Sequence, residues 1–392
     1  MNETAKAHGL DGELVAPDWP PLELSEVRDV LNAFQGAGEP IKIVSTSPRP
    51  FSAASVVETS REPIFIKRHA RLVRDVEGLM EEHRFIEYLR QDGIHVPRIF
   101  AACSGDTAVE MGDSTYEVHT IPIGFDLYEV AISWTPFRSI EHSRSAGEML
   151  AHLHLAAEGF PIAERKARPL VSSFTIFAER NASEGLRQYL AAHPALEHDA
   201  QTLEDCAVAL TLLAPFHNEL KPLLSALSPI WTHNDLHASN LFWSDTSPHA
   251  HATCVIDFGL ADRTNAVYDI AQAIERNIVE WLVLMQEPDR GDEVPVHLDH
   301  LWAMLDGYQQ VRPLSQAEFA ALAPMLALSH AEFALTEADY FLGVLHSPEK
   351  ARVATRDYLV GHAKWFRGPG QRKIIEPLRQ WAESRQAQAA RA

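Results

Sequence analysis

Two stretches near the middle of the chain constrain it more than any other feature. The first runs Trp231-Thr-His-Asn-Asp-Leu-His-Ala-Ser-Asn240, and the second, after a polar loop, runs Cys254-Val-Ile-Asp-Phe-Gly259. Asp235 stands five residues before Asn240, and Asp257 closes a short apolar run. The pattern therefore predicts three oxygen-bearing side chains at the ends of two strands joined by a turn. Phosphoryl transfer asks little covalent work of a protein, which has to hold a hydroxyl in line and neutralise phosphate charge. Mg²⁺ favours a few hard oxygen ligands, and an amide carbonyl from Asn240 with a carboxylate from Asp257 would supply them. Asp235 is then left to meet a hydroxyl and take its proton. His233, Asp235 and His237 also form a possible ligand set for a hydrolytic metal centre, but no further His and Asp ligands of that kind follow downstream.

The order His-x-Asp-(four residues)-Asn followed by Asp-Phe-Gly resembles the catalytic and metal loops of the protein-kinase-like superfamily. The wording from His233 to Asn240 is closer to the aminoglycoside phosphotransferase and choline kinase branch, which includes homoserine-kinase-like enzymes. Protein kinases carry a Lys two residues after the catalytic Asp, where this chain has His237. The resemblance covers roughly Ile41 to Asp269, and Asp269 matches a family Asp that steadies the metal loop. It implies an α+β, two-lobed protein-kinase-like fold, with a small antiparallel sheet lobe and a larger, mainly helical lobe. It implies ATP and Mg²⁺ as cofactors, Asp235 and His233 as the catalytic pair with His233 bracing the loop, and Asn240 and Asp257 on the metal. Lys67 is implied on the α- and β-phosphates, with Glu82 as its ion-pair partner and Glu81 as the alternative. The activity implied is transfer of the γ-phosphoryl group of ATP to a hydroxyl of a small molecule such as an amino alcohol, aminoglycoside, amino sugar or homoserine. A protein Ser/Thr kinase of the same branch and an inactive nucleotide-binding scaffold are the alternatives. The absence of an Ala-Pro-Glu signature opposes a usual protein kinase, and the presence of Lys67, Asp235, Asn240 and Asp257 together opposes the scaffold.

Taken in order, residues 1–21 end in Pro17, Pro20 and Pro21 and read as an extension or strap over the first lobe. Residues 22–121 read as the nucleotide-binding lobe. Ser25 is a candidate cap for a helix carrying Val27, Val30, Leu31 and Phe34, and the β-branched runs at 41–46, 53–59, 63–69, 99–103, 107–111 and 116–121 suggest a sheet of about five strands. One amphipathic helix, 75–91, interrupts them. The connection Ser45-Thr-Ser-Pro-Arg-Pro-Phe-Ser52 falls where the resembled fold covers the phosphates, yet it has no glycine to let backbone N–H groups approach. Ser45, Ser47 and Ser52 with the cation of Arg49 are the candidate substitutes. Residues 122–392 read as the second lobe, with helices at 143–158, 174–190 and 200–227, one that the run 261–271 leads into and that reaches about 285, and others at 298–311, 315–346, 351–366 and 374–388. Asp262, five residues past Asp257, is the candidate contact for the acceptor, and Phe333 reads as core.

Composition narrows the partners. Hydrophobic residues make up 46% and charged residues 22%, which is ordinary for a folded globular chain. A formal charge of −20 opposes a nucleic-acid partner and leans toward a cationic, amine-bearing substrate. Three separated cysteines offer neither a disulfide framework nor a zinc ribbon. Without an apolar leader in the first residues, the expectation is a cytoplasmic protein with no membrane partner.

Overall fold

The computed structural model describes residues 17–34, 36–286 and 288–389, so residues 1–16 of the expected extension lie outside the described residues. The first lobe comprises α1 (Leu24–Leu31), β1 (Pro40–Thr46), β2 (Ala53–Thr59), β3 (Ile64–Ala70), α2 (Val76–Gln91), β4 (Val109–Met111) and β5 (Ser114–Thr120). Its five strands form one antiparallel sheet in the order β1-β2-β3-β5-β4. One face carries Val57, Ile64, Ile66, Tyr116 and Val118 onto Val27, Val30, Leu31 and Phe34 of α1. Strand side chains alternate, so Lys67, between Ile66 and Arg68, stands on the other face. Residues 99–103 do not form a strand, and Ile99 makes only an isolated bridge to His119. The cap of α1 is Glu23 in a reciprocal box with Glu26, rather than Ser25, because the helix begins two residues earlier than its apolar spacing suggests.

The second lobe follows with α3 (Ile140–Ala157), α4 (Ala182–Ala192), α5 (Pro194–Glu197), α6 (Ala200–Leu220), β6 (Pro229–Thr232), β7 (Leu241–Trp243), β8 (Ala252–Val255), β9 (Asp262–Asn265) and α7 (Ala266–Ile278). Then come α8 (Trp281–Gln286), α9 (Leu298–Val311), α10 (Gln316–Asp339), α11 (Pro348–Arg352), α12 (Gly361–Arg367) and α13 (Glu376–Ala389). α3 and α9 touch backbone to backbone: a Cβ on Gly147 would sit 2.0 Å from the Met304 carbonyl oxygen, and one on Gly307 would sit 2.2 Å from that of Arg144. No side chain fits at either position. The span Gln316–Val344 is long and apolar enough to cross a membrane, but 94% of its apolar window is buried inside the protein, which makes α10 the central helix of this lobe.

Several predicted helices are shorter than their periodicity implied. The 174–190 segment becomes helical only at Ala182, where Asn181 caps the first turn, and the helix expected to reach 285 stops at Ile278. There Val279 turns extended and bridges to Val296, so apolar spacing continues while the backbone does not. Residues 18–20 of the strap meet the first lobe as expected, Trp19 packing against its core and Arg68 donating to the Pro20 carbonyl, and they tie to the second lobe as well. Asp18 accepts from Lys350 Nζ at 2.6 Å and Tyr340 OH at 3.1 Å, Trp19 Nε1 donates to Tyr340 OH at 3.1 Å, and the Asp18 N–H reaches the Pro50 carbonyl at 3.0 Å.

Candidate active site

The catalytic stretch is shaped by two small ribbons and one helix. β7 pairs with β8 in the register Leu241↔Val255, so Asn240 just before β7 and Asp257 just after β8 lie at one end of a hairpin. A bond from Ile256 N to the Asn240 carbonyl at 3.0 Å joins them. β6 pairs with β9 in the register Thr232↔Asp262 and delivers the chain into His233. Asn234 and Asp257 both take left-handed backbone angles, φ 61° and 60°. Asn and Asp tolerate this region better than other non-glycine residues, and the strain is held where the side chains are needed.

Helix α7, every residue of which is buried, grips the catalytic loop at three points of one face. Asp269 accepts the N–H groups of His233 and Asn234, each at 2.8 Å. Two turns later Arg276 Nε donates to Asp235 Oδ1 at 3.0 Å, and Asn277 accepts from Ala238 N at 3.0 Å while donating to the Leu236 carbonyl at 2.8 Å. The positions i, i+7 and i+8 share a helix face, so a rigid element sets the loop. His154 of α3 donates from Nε2 to Asp269 at 3.0 Å. The His233 ring accepts the Asp235 N–H at Nδ1 (3.2 Å) and donates from Nε2 to the Ile256 carbonyl (3.0 Å), which braces the metal-loop strand against the catalytic loop.

The cleft between the lobes is lined by Arg49, Ser52, Lys67, Asp235, Asn240, Asp257, Arg276, Trp134, Phe333 and Glu337, among others. Asn240 Nδ2 donates to the backbone oxygen of Asp235 at 2.9 Å and to its carboxylate at 3.3 Å. Burial works to raise the Asp235 carboxyl, but His237 and the Arg276 guanidinium bring it down to about 2. Burial itself pushes His237 below the usual imidazole range, so Arg276 is the standing cation beside Asp235 at neutral pH. Asp235 is therefore ionised throughout the working range.

On the nucleotide side, Lys67 pairs with Asp257 at 3.2 Å, whereas Glu82 turns to Arg165 at 3.8 Å. The expected Lys67–Glu82 pair is thus replaced. The buried Arg165 side chain also holds Glu81, at 3.7 Å, and draws both carboxylates toward the second lobe. Burial opposes the charge on Lys67, yet Asp257, then Glu117 and Glu82, hold its amine above the ordinary value. Glu117 is the residue directly across from Lys67 in the β3–β5 register. Arg49 reaches from the β1–β2 loop into the cleft and donates to Ser239 Oγ at 2.7 Å and to the Ala131 carbonyl at 2.9 Å. Ser52 lines the cleft, but Ser47 does not; its hydroxyl accepts from the Arg49 N–H at 3.3 Å and shapes the loop. Ser45 is exposed on β1.

Asp262 is not an acceptor contact. It is buried at the base of the catalytic loop, and its Oδ1 accepts the N–H groups of Arg165 (2.7 Å) and Arg263 (2.8 Å). Burial pushes its carboxyl up to about 6 in spite of those donors. The folded state then binds this proton more tightly than the unfolded state, so the stability the group contributes is full below about pH 4 and is lost as pH rises through 6. An Asn keeps Oδ1 for both bonds and has no charge to bury. Asp262→Asn should therefore leave the KM for any acceptor unchanged and raise stability at pH 8 by on the order of 1–2 kcal/mol, with the gain shrinking at pH 5. Urea unfolding at the two pH values measures this, and a loss of stability at pH 8 would reverse the assignment.

Sequence reasoning missed Arg276 and Trp134 and read Phe333 as core. The Phe333 ring lies 3.8 Å from the Arg276 guanidinium carbon and lines the cleft, and Trp134 Nε1 donates to Glu275 at 3.0 Å. The available signal was Glu275-Arg276-Asn277, three polar residues in succession inside a mainly apolar helix.

A sheet lobe and a helical lobe meeting at such a cleft have the protein-kinase-like fold of small-molecule phosphotransferases. The family described as APH, phosphotransferase enzyme family, matches residues 49–314, past the point where the motif resemblance fades. The chain belongs to that family. It is 27% identical over 236 residues to a homoserine kinase of Rhizobium etli (strain CIAT 652), an alignment covering 58% of this chain and 60% of that protein. The chain thus spans about three fifths of that curated relative's length. Among solved structures it resembles a microcompartment-associated aminopropanol kinase (TM-score 0.56, 18% identity, 88% of this chain and 97% of that one). It also resembles an amicoumacin kinase in complex with AMP-PNP, Ca²⁺ and its ligand (TM-score 0.54, 14% identity, 87% and 93% covered). At these identities the structural likeness speaks for the fold.

Proposed function

We propose that the chain transfers the γ-phosphoryl group of ATP, with Mg²⁺, to a hydroxyl of a small amine-bearing molecule. The observation that carries this reading is the convergence of Lys67, Asp235, Asn240 and Asp257 on one cleft, with α7 fixing the loop that holds Asp235. The donor set fits Mg²⁺: the Asn240 amide nitrogen is engaged with Asp235, which leaves its hard carbonyl oxygen for a cation, and Asp257 adds a carboxylate. Bound there, the ion would neutralise phosphate charge. Lys67 and Arg49 supply further positive charge on the nucleotide side. Asp235 orients the acceptor hydroxyl and takes its proton as the oxygen bonds to the γ-phosphorus and the bond to the bridging oxygen of ADP breaks. The AMP-PNP and Ca²⁺ of one structural neighbour support a nucleotide and a divalent cation here. The homoserine kinases and the aminopropanol kinase among the relatives support a small amine-bearing acceptor.

ADP release over a panel of homoserine, amino alcohols, aminoglycosides and neutral sugars tests the reading. Turnover confined to neutral sugars would remove the amine from it. Asp257→Ala should abolish the rise in melting temperature that ATP produces only when Mg²⁺ is present. An unchanged Mg²⁺ requirement in that variant would rule out Asp257 as a ligand.

A further inference from the structure

Arg276 is a buried cation with one end of its fork unused. Its Nε holds Asp235 Oδ1 at 3.0 Å, and its Nη1 donates to Glu275 Oε2 at 3.1 Å. Its Nη2 has no hydrogen-bond partner, although the side chain is only 1% exposed. A charged donor buried without an acceptor is costly and rare, and it calls for a ligand. Phe333, with its ring centroid 3.8 Å from the guanidinium carbon, and Trp134, at 5.2 Å, flank the group, and all three residues line the cleft. Nε and Nη2 form the same edge of the guanidinium, so whatever docks on Nη2 lies beside Asp235. The wall is not simply cationic, since Glu337 lines it too.

We propose that Arg276 Nη2 receives a carboxylate of the acceptor, and that the acceptor is a hydroxy amino acid whose hydroxyl reaches Asp235. This deepens the phosphotransferase reading and rests on it. A guanidinium fork matches a carboxylate, and the charge assistance makes the bond a strong one. The Asp235 carboxylate on the same edge of the guanidinium disfavours a bare anion and favours an acceptor that also carries a positive charge. Arg276 is then a specificity residue as well as the positioning residue for Asp235.

Matched acceptors differing only in the carboxylate test this on the wild-type enzyme: L-homoserine against 3-aminopropan-1-ol, and L-serine against ethanolamine. Within a pair that turns over, the carboxylate-bearing member should have a kcat/KM roughly 10- to 100-fold higher, the range expected for a hydrogen bond to a charged group. Arg276→Gln should slow every acceptor, because Asp235 loses its cation, but should also bring that ratio close to one, which a merely structural role would not do. Equal kcat/KM within both wild-type pairs would overturn the proposal, as would a ratio preserved in Arg276→Gln. Calorimetry with L-2-aminobutyrate and propylamine, which have no hydroxyl, separates the two readings. Binding of the former alone supports the carboxylate site even if no acceptor is phosphorylated, whereas equal binding, or none, counts against it.

Discussion

Asp235→Asn is expected to lower kcat by about 10²- to 10⁴-fold, the range for loss of a positioned proton acceptor, while leaving Mg²⁺-dependent ATP binding nearly unchanged. The amide keeps an oxygen for Arg276 Nε, so the loop geometry survives and the loss reports on the proton alone. Arg276 and His237 bring the Asp235 carboxyl down to about 2, so no acid limb in the rate between pH 5 and 8 should come from this residue. A carboxylate of such low basicity is a weak base toward a free hydroxyl. It works by holding the hydroxyl in line and accepting the proton once bonding to phosphorus has made it acidic. Steady-state kinetics with a saturating acceptor measure the effect. Retention of more than about a tenth of kcat would remove Asp235 from this role.

The largest stability loss should follow Asp269→Ala. Its fully buried carboxylate accepts the N–H groups of His233 and Asn234 and the Nε2 of His154, and His154 in turn meets Tyr308 OH at 2.7 Å. Removing it strands three buried donors, at about 1–3 kcal/mol each when no water replaces the acceptor. A loss of about 3–9 kcal/mol is a large part of the 5–15 kcal/mol that holds a typical domain together. Asp269→Asn should be nearly as damaging, because its amide nitrogen would face a donor that the second carboxylate oxygen now satisfies. Urea unfolding gives the values. A loss below about 1 kcal/mol in both variants would mean that the loop stands without α7.

How much of this was legible in advance divides along a physical line. The letters from His233 to Gly259 carried the hairpin and the approach of Asp235, Asn240 and Asp257 to one cleft, because each depends on neighbours only a few residues away. The alternation of β-branched residues likewise foretold strands at 41–46, 53–59 and 63–69, within a residue of their observed ends. The failures occurred where a side chain chooses among partners far along the chain. Glu82 lies on α2 as expected, but Arg165, more than eighty residues away, takes it from Lys67. Asp262 is close to Asp257 in sequence, yet β9 pairs with β6 and turns that carboxylate into the protein, where two backbone N–H groups hold it.

Arg276 is the clearest case. A single Arg in a helix is ordinarily a solvated charge, and nothing local marks it as a partner of Asp235, forty-one residues earlier. Periodicity determined that a helix would run through Asp269 to Asn277, but not that it would be buried. Only the packing of that helix beneath the catalytic loop decided that its face at 269, 276 and 277 would hold the loop, because the energy of a buried charge depends on which groups surround it in space rather than in sequence.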